Sequence, residues 1–164
     1  MSAHGINIAE ECHFLPEITP RNIKAAKNGD VIFFKNYAHA SILIMLGATM
    51  GGASIITLEE CDDATPTTSP AINFDYYKWD GLATNTDKLA NKATTTATTG
   101  VSLAASAGAF CIIELDADTL DAGYTGFRVN FGAAGAAAYG AMACVLSGSR
   151  YAAKPSNNLT AVVA

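Results

Sequence analysis

An all-β sandwich or jelly roll is the fold class that this sequence predicts. About seven or eight short segments rich in β-branched and aromatic residues recur along the chain, separated by Gly, Pro, Asn and Asp. Helical signal is weak along the whole chain. Charged residues make up only 15% of the 164 residues, below the roughly 25% usual for a soluble domain, so part of the surface is expected to be covered by a partner or by further copies of the chain.

The predicted organisation is a single domain over 1–164. It comprises an N-terminal arm (1–28), core strands at about 29–81 and 109–150, an Ala/Thr-rich loop (82–108) and a C-terminal tail (151–164). The arm opens "MSAHGINIAEECHF", without a basic segment followed by an apolar one, and is not read as an export signal. Within it, "TPRNIKAAKNGD" (19–30) places Thr19 and Pro20 at a cap and first helical position, which predicts at most one short helix.

"GDVIFFKN" (29–36) opens with a turn residue and continues as a strand. "HASILIMLG" (39–47) and "ASIITLEEC" (53–61) flank Gly51 and Gly52 and read as a hairpin. Glycines break this apolar stretch, so it is too short to span a membrane, and the expectation is a soluble protein made in a cytoplasm. "PAINFDYYKWD" (70–80) alternates Ile72, Phe74 and Tyr76 against Asn73, Asp75 and Tyr77, the pattern of one half-buried strand.

The 82–108 segment is almost entirely Ala, Thr, Ser, Asn and Gly and reads as a long exposed connection, though Thr-rich alternation also suits an edge strand. "AFCIIELDA" (109–117), "GFRVNFG" (126–132) and "YGAMACVLSGSR" (139–150) complete the strands, and one helical turn is compatible with "LDADTLDAGY". The tail beyond Arg150 is expected to lie outside the sandwich and to dock on a neighbour.

"TLDAGYTGFRV" (119–129) is the strongest local landmark. A leucine, a glycine-bearing turn and a tyrosine entering a strand suggest a tyrosine corner, in which the phenol bonds back to the backbone. That assigns structural roles to Gly123 and Tyr124. Trp79, beside Tyr76 and Tyr77, is read as a core or interface residue.

The cluster of Glu59, Glu60, Asp62 and Asp63 around Cys61 is the densest concentration of chemistry-bearing groups. Glycoside hydrolysis needs carboxylates on opposite sides of a substrate, and an EF-hand loop needs regular spacing and a closing glutamate. This stretch has neither and reads as a strand end running into a solvated loop. A thiol beside four anions has a raised pKa, the wrong direction for a nucleophile.

His4, His13 and His39 lack the spacing of a zinc helix, and His39 is read as lining a strand end. Cys12, Cys61, Cys111 and Cys144 form no CxxC pair, and Cys111 and Cys144 read as small buried hydrophobes. No catalytic residue, metal ligand or cofactor is assigned. A net charge of −5 argues against nucleic acid as a partner, because phosphate binding needs a basic face.

In the order "HASILIMLGAT…ASIITLEECDD…SPAINFDYYKWD", then "FCIIELDADTLDAGYTGFRVNFG" and "CVLSGSRYA", the chain resembles small virion proteins of tailed bacteriophages, many of them head decoration or cement proteins. The similarity spans residues 4–15, 30–80 and 109–152. It implies a β-rich protein on the outside of a phage head, made in the bacterial host cytoplasm. The implied partners are the major capsid protein and copies of the chain itself, as a homo-oligomer and most simply a trimer, with neither nucleic acid nor membrane. Two other functions are weighed beside it: a tail, fibre or carbohydrate-binding module using the Tyr76–Trp79 aromatics, and a small hydrolase using the 59–63 carboxylates.

Overall fold

The computed structural model describes residues 8–47, 51–80, 88–103, 108–149 and 161–163. One turn of helix, α1 (Ile8–Glu11), precedes β1 (His13–Asn22), β2 (Lys27–Asn28), β3 (Val31–Phe33) and β4 (His39–Leu46). Then come β5 (Ser54–Cys61), β6 (Ala71–Ile72), β7 (Phe74–Asp80), β8 (Ala93–Thr95) and β9 (Val101–Leu103). β10 (Ala109–Asp116), a 3-10 turn (Ala117–Thr119), β11 (Gly126–Phe131), β12 (Tyr139–Ser147) and β13 (Val162–Val163) follow.

The strands form an all-β sandwich of two antiparallel sheets. One has six strands in the order β1-β12-β4-β10-β7-β8. The other runs β13-β3-β11-β5-β6, with β2 paired to β11 and β9 to β5. The core lies between them. Ile42, Ile44, Cys111, Ile113, Cys144 and Leu146 from the six-stranded sheet meet Ile56, Leu58, Phe127, Val129 and Phe131 from the other. Each strand contributes alternate residues, which is why an alternating sequence pattern makes a two-layer fold.

Several expectations are corrected here. Residues 13–22 of the supposed arm are an edge strand paired to β12, and Thr19 and Pro20 lie within it, not at a helix start. The edge position explains the choice: Pro16 and Pro20 remove donors that an edge strand can do without, and the register shifts on either side of Ile18 accommodate them. β4 and β5 are not a hairpin. β4 pairs with β10 and β12, whereas β5 pairs with β11, β6 and β9, so the Gly51–Gly52 stretch carries the chain from one sheet to the other. Gly52 sits where this crossover meets the 132–135 segment, and a Cβ there would strike the Ala134 carbonyl.

The 70–80 run is two strands. β6 pairs with β5 and β7 with β10, so the chain changes sheets at Asn73 while Phe74 and Tyr76 keep the inward orientation that the alternation predicts. In the Ala/Thr-rich segment, β8 pairs with β7 and β9 with β5, which makes it a supplier of short strands and not one long loop. The tail, too, returns to the fold: β13 pairs with β3, and Ala161 is fully buried. Arg150 and the tail as far as residue 160 lie outside the described residues.

Candidate functional site: the outer sheet face and the end of the sandwich

The acidic cluster is dispersed by the pleat. Glu59 accepts from Arg128, Nη2 at 2.6 Å and Nε at 3.2 Å, across the β5–β11 pair. Glu60 points the other way, is 2% exposed, and accepts the Asp121 amide at 2.9 Å, tying the 121–125 turn to β5. Asp62 and Asp63 accept the amides of Asp63 and Thr65 within the loop. Burial, ahead of the nearby charges, pushes the Cys61 thiol up to about 11, which keeps it protonated and unreactive at neutral pH. All four cysteines are free, and Cys61, Cys111 and Cys144 are buried.

A tighter constellation forms where β4 begins and β10 ends. His39 Nδ1–H donates to Asp116 Oδ1 at 2.6 Å, and Nε2–H donates to Glu114 Oε2 at 2.8 Å. Ser41 Oγ donates to the same Glu114 oxygen at 2.6 Å. The antiparallel register creates this group by placing His39 opposite Asp116 and Ser41 opposite Glu114. It superficially matches a Ser-His-Asp arrangement, with Ser41 Oγ 3.4 Å from His39 Nε2. With both ring nitrogens directed at carboxylates the imidazole favours its protonated form, which has no lone pair to accept the serine proton.

The protonation state of His39 sets an expected pH response. Burial of the ring opposes its charge, but the hydrogen bonds and negative charges of Asp116 and Glu114 outweigh it and hold the pKa above the usual 6.5. A folded-state value above the unfolded one means that the clamp's stabilisation is fully present below about pH 6.5 and fades as pH rises through the folded value. Ring-proton NMR should place the His39 midpoint above 6.5, and Asp116→Asn should lower it. A wild-type midpoint at or below 6.5 would show that the ring is not an imidazolium.

Next to this polar group the outward face of the six-stranded sheet is apolar. One row across the strands reads Ala141, Met45, Phe110 and Trp79, and the next Ala143, Leu43, Ile112 and Tyr77. Phe14 and Tyr139 lie farther out. Met45 is 55% exposed, Phe14 52% and Tyr139 58%, and the remaining side chains of the two rows are half-buried. Trp79 is therefore on this outer face, opposite Phe110, and not in the core. Tyr76 is on the inner side, in edge contact with Phe74, so Tyr76 and Trp79 do not form one platform.

The same end of the sandwich as His39 carries a cleft of about 510 Å³ between the 34–38 and 116–125 segments. Tyr124 lines it. Its amide closes the turn onto the Asp121 carbonyl at 3.1 Å, and Gly123 takes the positive φ of 103° that such a turn needs at its third position. Among the described residues the Tyr124 phenol makes no hydrogen bond, so the turn is held by backbone and by Glu60, without the phenol bond that defines a tyrosine corner. Tyr124→Phe is accordingly expected to change stability by less than about 0.5 kcal/mol in urea unfolding. A loss above about 1 kcal/mol would restore the corner.

Among the described residues, no group of three or more His, Cys, Asp or Glu side chains is arranged to hold a metal ion. No helix among them is long and apolar enough to cross a membrane.

The fold defines the class, an all-β sandwich, and comparison with known proteins adds little to it. No protein-family model matches the chain, and no curated protein matches it. Among solved structures it is similar to the SPBc2 prophage-derived protein YomS, with 9% identity and a TM-score of 0.40, over 90% of this chain and 100% of that one. It is also similar to a chain in the structure of infectious bursal disease virus Gt strain, with 8% identity and a TM-score of 0.23, over 82% of this chain and 35% of that one. Likenesses of this order carry no functional argument.

Proposed function

We propose that the chain is a structural protein of a tailed-phage virion, a decoration or cement protein that binds the outside of the head and stabilises it as a homo-oligomer. The observation that carries the reading is the exposed apolar face of the six-stranded sheet. Met45, Phe110, Leu43 and Ile112 form adjoining apolar positions on a surface that a protein acting alone in water keeps polar. Low overall charge and the sequence resemblance to small phage virion proteins support the same reading.

Such a protein works by mass action. It binds the assembled shell across neighbouring capsomers, and rupture must first break those contacts. The role requires no catalysis. The test is to mix purified protein with undecorated capsids, measure co-sedimentation and heat the particles. Binding and a higher rupture temperature are expected, with Met45→Glu weakening binding by about tenfold or more through a charge forced into an apolar contact. If the wild type neither binds capsids nor raises their rupture temperature, the reading is wrong.

A further inference from the structure

The geometry points to a second function beside the 121–125 turn: a cavity of about 370 Å³, with Glu60 in its lining, is a binding site for a primary ammonium group on an aliphatic stem. Such a volume is within the range of small-ligand sites, roughly 300–1,000 Å³. Glu60 is the anchor. At 2% exposed it is the single Asp, Glu, Lys, Arg or His that is buried among the described residues. A buried carboxylate is costly unless an opposite charge faces it. Glu59, Asp75, Glu114 and Asp116 each form an ion pair with Arg128, Lys92 or His39. Glu60 forms none among the described residues.

The state of its two oxygens decides the ligand class. Oε2 accepts the Asp121 amide at 2.9 Å, and no described group donates to Oε1. Asn130 Oδ1 is the single side-chain oxygen or nitrogen that is both sealed and unpartnered among the described residues, so Glu60 Oε1 is not sealed and opens to the cavity that its side chain lines. One free acceptor selects an ammonium. A guanidinium takes a carboxylate with two parallel N–H donors and uses both oxygens, whereas an ammonium is a point charge that one oxygen can face. An anion is opposed, because the two ionisable residues of the lining, Glu60 and Asp121, are both acidic.

The walls are fixed before any ligand enters. The Glu60 amide donates to the Pro70 carbonyl at 2.9 Å. Asn73 Oδ1 accepts the Ala97 amide at 2.7 Å, which holds the turn after β8 against the segment where the chain changes sheets. Pro70, Ile72 and Ala97 line the cavity and carry no charge, so an aliphatic stem meets no buried polar side chain along them. A lysine side chain of another protein and a free alkylamine share this chemistry.

The proposal is independent of the virion reading, and its test needs no capsid. Full-length protein labelled with nitrogen-15 is titrated with butylammonium, butylguanidinium, butanol and a capped lysine at constant ionic strength, and amide shifts are followed by NMR. Butylammonium should move the amides of Glu60, Ala97 and Asp121 saturably, with NOEs from its methylenes to the Ile72 methyls in the wild type. Butanol should not. Glu60→Gln keeps an oxygen for the Asp121 amide and removes the charge, and it should weaken butylammonium by about tenfold or more. Asp62→Asn, on the exposed loop, should leave binding as it is. If no amide moves saturably at tens of millimolar, if the wild-type NOEs are missing, if Glu60→Gln binds like the wild type, or if Asp62→Asn weakens binding as much, the cavity is not the site. The NOEs decide the matter if Glu60→Gln does not fold. Tighter binding of butylguanidinium, or equal binding of butanol, overturns the assignment to an ammonium. Capped lysine binding as butylammonium does supports a protein side chain as the source, and its exclusion supports a free amine.

Discussion

Replacing Phe127 with alanine is expected to lower stability by about 3–5 kcal/mol, a large part of the roughly 5–15 kcal/mol that holds a domain folded. Phe127 is fully buried in β11, the strand that pairs with β2, β3 and β5 at once. Its ring packs on Phe34 with centroids 5.3 Å apart and a 44° tilt, so truncation opens a cavity and removes an aromatic contact together. The neighbours are strands fixed by ladders on both sides and cannot collapse into the space. Urea unfolding measures the effect as a lowered midpoint at unchanged slope. A loss below about 1 kcal/mol would mean that the site repacks and that Phe127 is not at the centre of the core.

Deleting residues 161–164 is expected to destabilise the sandwich by about 2–4 kcal/mol, although the sequence places this stretch in a dispensable tail. The Ala161 carbonyl accepts the Phe33 amide at 2.8 Å, and Val162 and Val163 pair with Ile32 and Val31. Without them β3 becomes a bare edge, and the buried Ile32 and Phe33 gain solvent. Hydrogen exchange at the Phe33 amide should accelerate along with the drop in midpoint. An unchanged midpoint with Phe33 still protected would return the segment to the role of a detachable arm.

How much of the site was legible varied with how local its cause is. The dispersal of the 59–63 carboxylates follows from strand alternation, and the sequence alone puts Glu59 and Glu60 on opposite faces. The His39 clamp was not legible. Glu114 and Asp116 have the spacing of one strand face, as do His39 and Ser41, but joining the pairs requires the β4–β10 register, which spans more than seventy residues of chain. The tyrosine corner failed for a related reason. Its turn is visible in "DAGY", whereas the partner of a phenol is a matter of where the rest of the chain lies.

By itself the sequence determined the all-β class, the positions of β4, β5, β10, β11 and β12, the shared face of Phe74 and Tyr76 in β7, and the burial of Cys111 and Cys144. These depend on apolar, β-branched runs bounded by turn residues and, in β7, on side-chain alternation with a period of two, all of which is local information. Only the tertiary structure decided that β4 and β5 belong to different sheets, that the 70–80 run changes sheets at Asn73, and that residues 13–22 and 162–163 are strands. Prolines obscure β1, and two residues are too few to show any period. Pairing between strands far apart in the chain is set by which edges and faces remain to be covered once the core has closed, and that is a property of the assembled sheets and not of any one segment.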